Sequence, residues 1–585
     1  MHTTARLLGP LFLLAGLAAC SDTTAAHSTL FTRNPCTGPD TLVLAVAEAT
    51  RMDCSNGGTT VTLAGDGASY LIVPEFATDN ALDQFVEYNL ASGDVASTSA
   101  AAAARAMRAP GGSVAAPTGT LPPVRPNVAQ RAIDRFMLSR EAGVAAAARR
   151  AGPSLARAAR PPARAVAAPP DTGSVRSFKV LSNYVGTETF ATVGAKLEYV
   201  GANVLLYVDT LAPAGGFTQA QLQAFGQYFD QTLFPIDTAA FALPSDVDTN
   251  GHVIMLLSPT VNQLTTTSDC ETQGFVGGFF EPEDFSGSAN SNNGEVFYGI
   301  VPDPNGVYSC AHSVDDLESF LPAVFLHELQ HLICFSQHVI IGGGDPESSW
   351  LDEGQSIVAE ELGAVHYEQM CPPPSCRTDP SQLFPDSAQG FVQDFLYDSY
   401  VYALLPDTAS VTLHSDADDG LSWRGGDWLL VRWLSDQAGP GFLRRLEQGP
   451  ADGVADIEAA TGQSFPQLFA NFGLALYTDS LPGLPRTTAP AADRFTSRNV
   501  KQLWARVYAT SGPSTDFPLE DPVQLFAVTS DTTQYVLDPG TVTYFRLDTP
   551  ANAATVTIRF AGPGGTSFDP ALQPQMAIFR LPAGQ

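Results

Sequence analysis

The run Val324-Phe325-Leu326-His327-Glu328-Leu329-Gln330-His331-Leu332-Ile333 leaves the chain few folds to choose from. It holds the pattern H-E-x-x-H, and its only charged residue besides the histidines is Glu328. On an α-helix, residues four apart lie one turn apart on one face, so His327 and His331 can grip a single metal ion. Glu328 is turned about 100° from His327 and can reach a water at that ion without being a ligand. Uncharged neighbours on every other position suit a helix buried in the middle of a domain.

Two imidazoles leave a zinc ion short of at least one protein ligand, and a carboxylate would keep one position open for water. The contenders are Glu353, Glu360 and Glu361. Glu353 stands in Trp350-Leu351-Asp352-Glu353-Gly354, behind a Gly-Gly-Gly-Asp-Pro-Glu-Ser-Ser loop that lets the chain reverse. A helix–loop–helix hairpin brings the first turn of the second helix beside the metal, so Glu353 is the expected third ligand. Glu360 lies two turns on along the same face and is expected to hydrogen-bond a zinc-bound histidine. Asp352 is expected to turn away. The metzincin pattern H-E-x-x-H-x-x-G-x-x-H is excluded, because position 334 is Cys and position 337 is Gln.

With 585 residues the chain has room for several domains, and 50 Gly and 44 Pro predict many turns and much β structure. The net charge of −31 argues against nucleic acid and anionic lipid head groups as partners. Residues 1–20 read as a lipoprotein signal peptide, with a short apolar core ending in Leu17-Ala18-Ala19-Cys20. Cys20 in that lipobox is the expected lipidation site. The expected location is the bacterial cell envelope, lipid-anchored at the outer membrane or cell surface, or else secretion. Six of the remaining cysteines pair plausibly by position as Cys36–Cys54, Cys270–Cys310 and Cys371–Cys376. Cys334 is left over on the histidine stripe, read as a buried thiol with metal binding as the alternative.

The fold class expected is multi-domain, an α+β catalytic domain flanked by small β domains. Residues 21–99 read as a tether and a small β domain, and 517–585 as a β-sandwich-like module, with 481–516 a linker. Residues 100–173 are rich in Ala, Arg and Pro, with eleven Arg between 100 and 170 against Asp134 and Glu141. They form a linker or a pro-region, with one helix from Asn127 to about Arg150 and Arg149-Arg150 as a processing site. Residues 174–480 hold the mixed α/β region and the motif. Within it, Asp246-Val247-Asp248-Thr249-Asn250-Gly251 begins like a calcium loop, but position 257 is Leu where an EF-hand needs Glu. Asp246, Asp248 and Asn250 are Ca2+ candidates, and a polar turn entering a strand is the alternative.

H-E-x-x-H followed by W-L-x-E-G resembles the gluzincin peptidases, and the wider run is similar to the hyicolysin family. Phe229-Asp230, Leu243 through Val253, the motif helix and Trp350 through Gly354 carry the likeness, which covers roughly residues 174–480. The resemblance implies a zincin fold, a mixed sheet over an active-site helix with a helical lower subdomain. It implies a Zn2+-dependent endopeptidase acting on proteins or peptides through a zinc-activated water, with His327, His331 and Glu353 as ligands and Glu328 as acid/base. Where related gluzincins place an oxyanion-stabilising Tyr in S-Y-x-x-G, this chain has Ser422-Trp423-Arg424-Gly425-Gly426. The oxyanion candidates are Trp423, Arg424, Tyr397, Tyr400 and Tyr402. A substrate is expected along an edge strand near Val296–Val301. The competing class is an exported adhesion or binding protein whose zinc site is structural or vestigial.

Overall fold

The computed structural model describes residues 34–585, apart from 37–40, 56, 58–59, 80–84, 93–126, 152–168, 372–375, 377–382, 414–419, 512–516, 521, 527–530 and 552–554. The expected signal segment and Cys20 lie outside the described residues. Short alternating runs near the N-terminus give β1 (Asn34–Pro35), β2 (Thr41–Leu42), β3 (Ala49–Asp53), β4 (Thr60–Ala64), β5 (Ser69–Phe76) and β6 (Val86–Ser92). The central region supplies β7 (Val175–Asn183), β8 (Thr189–Val200), β9 (Val204–Asp209), β10 (Val253–Leu257), β11 (Gly278–Phe280) and β12 (Val296–Gly299). The last are β13 (Val523–Phe526), β14 (Asp531–Leu537), β15 (Phe545–Asp548), β16 (Thr555–Ala561) and β17 (Pro574–Arg580).

The expected pair of separate β domains is corrected by their pairing. The two segments interleave in two sheets, ordered β1-β3-β17-β5-β15-β13 and β14-β6-β16-β4-β2. β17 sits between β3 and β5, and β16 between β4 and β6, so neither segment forms a complete sheet alone. Period-2 alternation decides where each face goes. Tyr70 and Ile72 of β5, with Met576 and Ile578 of β17, fill the core between the sheets. Leu71, Val73, Ala577 and Phe579 point the other way and join the core of the central region. The Cys36–Cys54 bridge lies in this unit, and Cys270–Cys310 and Cys371–Cys376 are also joined, as their positions suggested.

The central sheet runs β11-β12-β10-β9-β8-β7. β9, β10 and β12 are parallel, while β7, β8 and β11 join antiparallel to their neighbours. β10, Val-Ile-Met-Leu-Leu, is buried at every residue, as an inner strand covered on both faces must be. The expected substrate edge needs correction here: Val296–Gly299 is the second strand, and β11 is the edge. The helix Val314–Phe335, the motif helix, lies against this end of the sheet, where Phe325 meets Phe297 of β12 edge-on at 5.4 Å. Its Ser313–Asp316 capping box satisfies the first turn, and it runs through Pro322 without a break. A π-turn, Ser336–Ile341, extends it.

Gly343, at φ 72°, helps turn the chain into the helix Ser349–Met370, the acid helix. Below lie the helices Gln393–Leu404, Leu421–Ala438, Phe442–Glu447, Gly453–Thr461 and Phe465–Thr478. The stretch expected as a linker, 481–516, contains the helix Val500–Ser511, whose Trp504 is fully buried and donates to Ser399 Oγ. The helix Val128–Ala151, the covering helix, matches the one expected between Asn127 and Arg150 and rests on the central region.

Candidate metal centre

The motif helix and the acid helix cross with His327, His331 and Glu353 facing one another. His327 Nε2 is 3.7 Å from Glu353 Oε2, and His331 Nε2 is 3.9 Å from Glu353 Oε1. One ligand atom from each of the three falls within 4.8 Å of the others. On its other side the acid helix packs closely on the helix Leu421–Ala438 through Gly354, where a Cβ would stand 2.7 Å from Val431 Cγ2 and 2.9 Å from the Asp427 carbonyl.

The remaining nitrogen of each histidine is held by a carboxylate. Glu360 Oε1 is 2.7 Å from His327 Nδ1, and Asp352 Oδ2 is 2.8 Å from His331 Nδ1. Asp352 therefore does not turn away as expected; one residue before Glu353 on the same helical turn, it reaches the second histidine. Glu361, the other contender for third ligand, faces elsewhere and accepts from Arg498 Nε at 2.6 Å and Trp428 Nε1 at 3.0 Å.

The polar accounting around the trio fits a cation. His331 Nε2, both carboxylate oxygens of Glu353 and Oε1 of Glu328 are buried without a hydrogen bond, although Arg424 Nη1 stands 3.1 Å from Glu353 Oε2. Two imidazoles and a carboxylate are a donor set suited to Zn2+. Burial, reinforced by the charges of His331 and Arg424, keeps the pKa of His327 well below its ordinary 6.5. Burial acts the same way on His331, but the negative charge and hydrogen bond of Asp352, with Glu353 and Glu328, outweigh it and raise the pKa well above 6.5. Glu328 is pushed well above the usual carboxylate range by burial and by Asp134. Its Oε2 accepts from the Phe280 backbone N–H at 2.9 Å, tying it to the edge strand β11.

A cleft of about 420 Å³ reaches His327, Glu328, Glu360 and Arg424. Of the oxyanion candidates, Tyr397 and Arg424 line it, whereas Trp423, Tyr400 and Tyr402 do not. Tyr400 and Tyr402 are fully buried, with the Tyr402 ring against Gly426. The segment Ser422–Gly426 is the start of the helix Leu421–Ala438. Its glycines serve packing: a Cβ on Gly425 would lie 2.0 Å from the Asp398 carbonyl. Arg424 is engaged by Glu353, Asp134, Asp398 and Asp394.

The covering helix closes the cleft from above. Gln130 Oε1 accepts from Gly277 N and its Nε2 donates to Gly278 O, both at 2.8 Å, so one side chain takes a donor and an acceptor at the edge of β11. Arg140 pairs with Glu281, Glu283 and Glu188. Asp134 and Glu141 are buried under the helix, toward Glu353 and Asp352 respectively. In the sequence both acids stand out only as exceptions in a basic stretch, which is the signal available there.

Asp246 and Asp248 come within 4.8 Å of Glu295, while the third calcium candidate, Asn250, is otherwise engaged. Its amide donates to Asp248 Oδ2 at 2.7 Å and its carbonyl oxygen accepts from His252 N, as in a hydrogen-bonded turn entering β10. Nothing else among the described residues supports calcium there.

No family model matches the chain. Over 194 residues it is 28% identical to the neutral metalloprotease ShpI of Staphylococcus hyicus. That stretch is 32% of this chain and 40% of the relative, so the match spans less than half the length of either protein.

Proposed function

We propose that the chain is a metallopeptidase that cleaves peptide bonds in protein substrates, with Zn2+ held by His327, His331 and Glu353. The observation that carries this reading is the convergence of those three side chains, with His331 Nε2 and both Glu353 oxygens without a hydrogen bond and His327 Nε2 meeting Ser356 Oγ at 3.3 Å, beside Glu328 with Oε1 unpartnered. The distant likeness to a metalloprotease supports it. Bound zinc supplies Lewis acidity toward a carbonyl and lowers the pKa of a water to about 7.

The chain's own residues do the rest. Asp352 and Glu360 fix both imidazole tautomers through Nδ1, leaving Nε2 of each toward Glu353. Glu328, anchored through Oε2 by the Phe280 N–H, offers Oε1 to take a proton from the attacking water and deliver it to the leaving amine. Tyr397 is the proposed oxyanion donor, because it lines the cleft and can donate from a neutral hydroxyl, whereas the charge of Arg424 is balanced by Glu353 and three aspartates. A peptide would pair with the edge of β11, where Gln130 now sits, so the covering helix belongs to an inhibitory pro-segment within 100–173. Export through the lipobox at Cys20, with anchoring to the cell envelope, completes the proposal.

The test is hydrolysis of casein and of a quenched fluorescent peptide, with zinc counted in the same samples. Glu328→Gln should keep the zinc and lose about 10²- to 10⁴-fold in rate. Cleavage at the wild-type rate by that variant would remove the assignment.

A further inference from the structure

Beyond the trio, the motif helix carries ligand-type side chains that the proposed reaction does not use. Cys334 and His338 follow His331 by three and seven residues, continuing the same face. The π-turn at Ser336–Ile341 holds His338 in the interior, 2% exposed. Glu347 from the Gly-rich loop, Glu447 and Asp456 surround it. His338, Glu347 and Asp456 each bring a ligand atom within 4.8 Å of the others, and so do Cys334, His338 and Glu447. His338 Nε2 lies 3.9 Å from Glu347 Oε2, a spacing like those in the first trio, and 3.0 Å from the Leu446 carbonyl.

Four of the six carboxylate oxygens of Glu347, Glu447 and Asp456 have no hydrogen bond. Glu347 Oε1 accepts from the backbone N–H groups of Ser348 and Gly453, but Oε2 has no hydrogen bond. Glu447 Oε1 accepts from Gln330, and its Oε2 has none. Both oxygens of Asp456 lack a partner, and Asp456 and Glu447 are fully buried. The charges acting on the three carboxylates are those of Asp352, Asp452 and one another, with no Lys or Arg among the main contributors. Unpaired carboxylates crowded in low dielectric are costly unless protons or a cation compensate them.

We propose that His338, Glu347 and Asp456 hold a second divalent transition-metal ion of zinc-like softness, structural in role, with Cys334 and Glu447 beside it. The imidazole disfavours Ca2+ and Mg2+, and two carboxylates disfavour Cu(I). In that state Nε2 of His338 is deprotonated, and the Leu446 carbonyl becomes a neighbouring oxygen donor. A cleft of about 270 Å³ between Gln337, Ile341, Gly342, Gly449 and Pro450 reaches His338 from outside and gives the ion an entry path. The ion would fasten the helix Gly453–Thr461 and the loop before the acid helix to the motif helix, steadying the turn that presents Asp352 and Glu353.

The experiment counts zinc in the full chain by plasma mass spectrometry after dialysis against zinc and then buffer, with thermal unfolding in parallel. His327→Ala with His331→Ala removes the first trio and should leave one equivalent; none left overturns the proposal. Asp456→Asn should lose one of the two equivalents, and its melting temperature should rise less than that of the wild type when zinc is added. Without an ion at this place, the same isosteric change only relieves buried charge. The variant would then keep the wild-type zinc content and melt at or above the wild-type temperature, and the proposal falls. If instead only the first trio is misassigned, the wild type binds one equivalent, which Asp456→Asn abolishes and the double-histidine variant retains.

Discussion

Asp352 Oδ2 stands 2.8 Å from His331 Nδ1, so the residue beside the proposed third ligand orients the proposed second one. A carboxylate on the far nitrogen fixes the tautomer and makes the near nitrogen a stronger donor. Asp352→Asn keeps the shape but loses that charge. Metal affinity, measured by competition with a chromophoric chelator, should fall about 10- to 100-fold. An unchanged affinity would mean that the contact only packs.

Tyr397 is the candidate in the cleft that the arginine's other commitments leave for the oxyanion. Tyr397→Phe removes one hydroxyl from its wall. The expected loss is about 10²- to 10³-fold in kcat with little change in KM, since a donor to developing charge acts mainly in the transition state. A change confined to KM would place Tyr397 in substrate binding instead.

Glu361 gives a pH-dependent test of the scaffold behind the site. Burial alone would raise its pKa, but Arg498 and Arg432, with hydrogen bonds from Arg498 and Trp428, outweigh burial and lower it below 4.5. For a carboxylate with a depressed folded pKa, the stabilisation is complete above the unfolded value and is lost as pH falls through the folded one. Glu361→Gln removes the charge that Arg498 and Arg432 share and leaves them Glu368 and Asp436, so it should cost about 1.5–3 kcal/mol at pH 7, the worth of a hydrogen bond to a charged group. In urea unfolding, the gap to wild type should narrow steadily below pH 4.5.

Local patterns in the sequence located most of the elements near the site. H-E-x-x-H with its apolar neighbours marked the motif helix, and the Gly-rich reversal marked the hairpin that brings Glu353 and Glu360 to it. Pairings across long separations were not legible. β17 inserts between β3 and β5 more than 490 residues away in sequence, and nothing local in either segment records that choice. A helical wheel places Asp352 about 100° from Glu353 and so away from the site, whereas His331 turns its two nitrogens to the two acids, Nδ1 to Asp352 and Nε2 to Glu353. The Ser422–Gly426 segment was read for catalysis although its glycines answer a packing need, one visible only once Asp398 lies against Gly425.

The covering helix makes the most direct prediction about control. Gln130 bonds Gly277 and Gly278 at the edge of β11, and Arg140 clamps the same helix to Glu281 at 2.9 Å, with Glu283 at 3.3 Å. These contacts lie outside the proposed ligands and base, so removing them loosens the lid without touching the chemistry. Hydrogen bonds of this kind contribute about 0.5–1.5 kcal/mol each, and those to charged groups about 1.5–3. Gln130→Ala with Arg140→Ala should therefore shift the closed–open balance by about 3 kcal/mol, enough to raise peptide hydrolysis by ten-fold or more wherever the helix limits access. Limited proteolysis after Arg149 or Arg150 should act in the same direction, because those residues end the helix and are exposed. Initial rates on the fluorescent peptide, before and after the nick, measure both effects. Rates that fall in the double variant would show that the helix builds the substrate site, and the inhibitory reading would be abandoned.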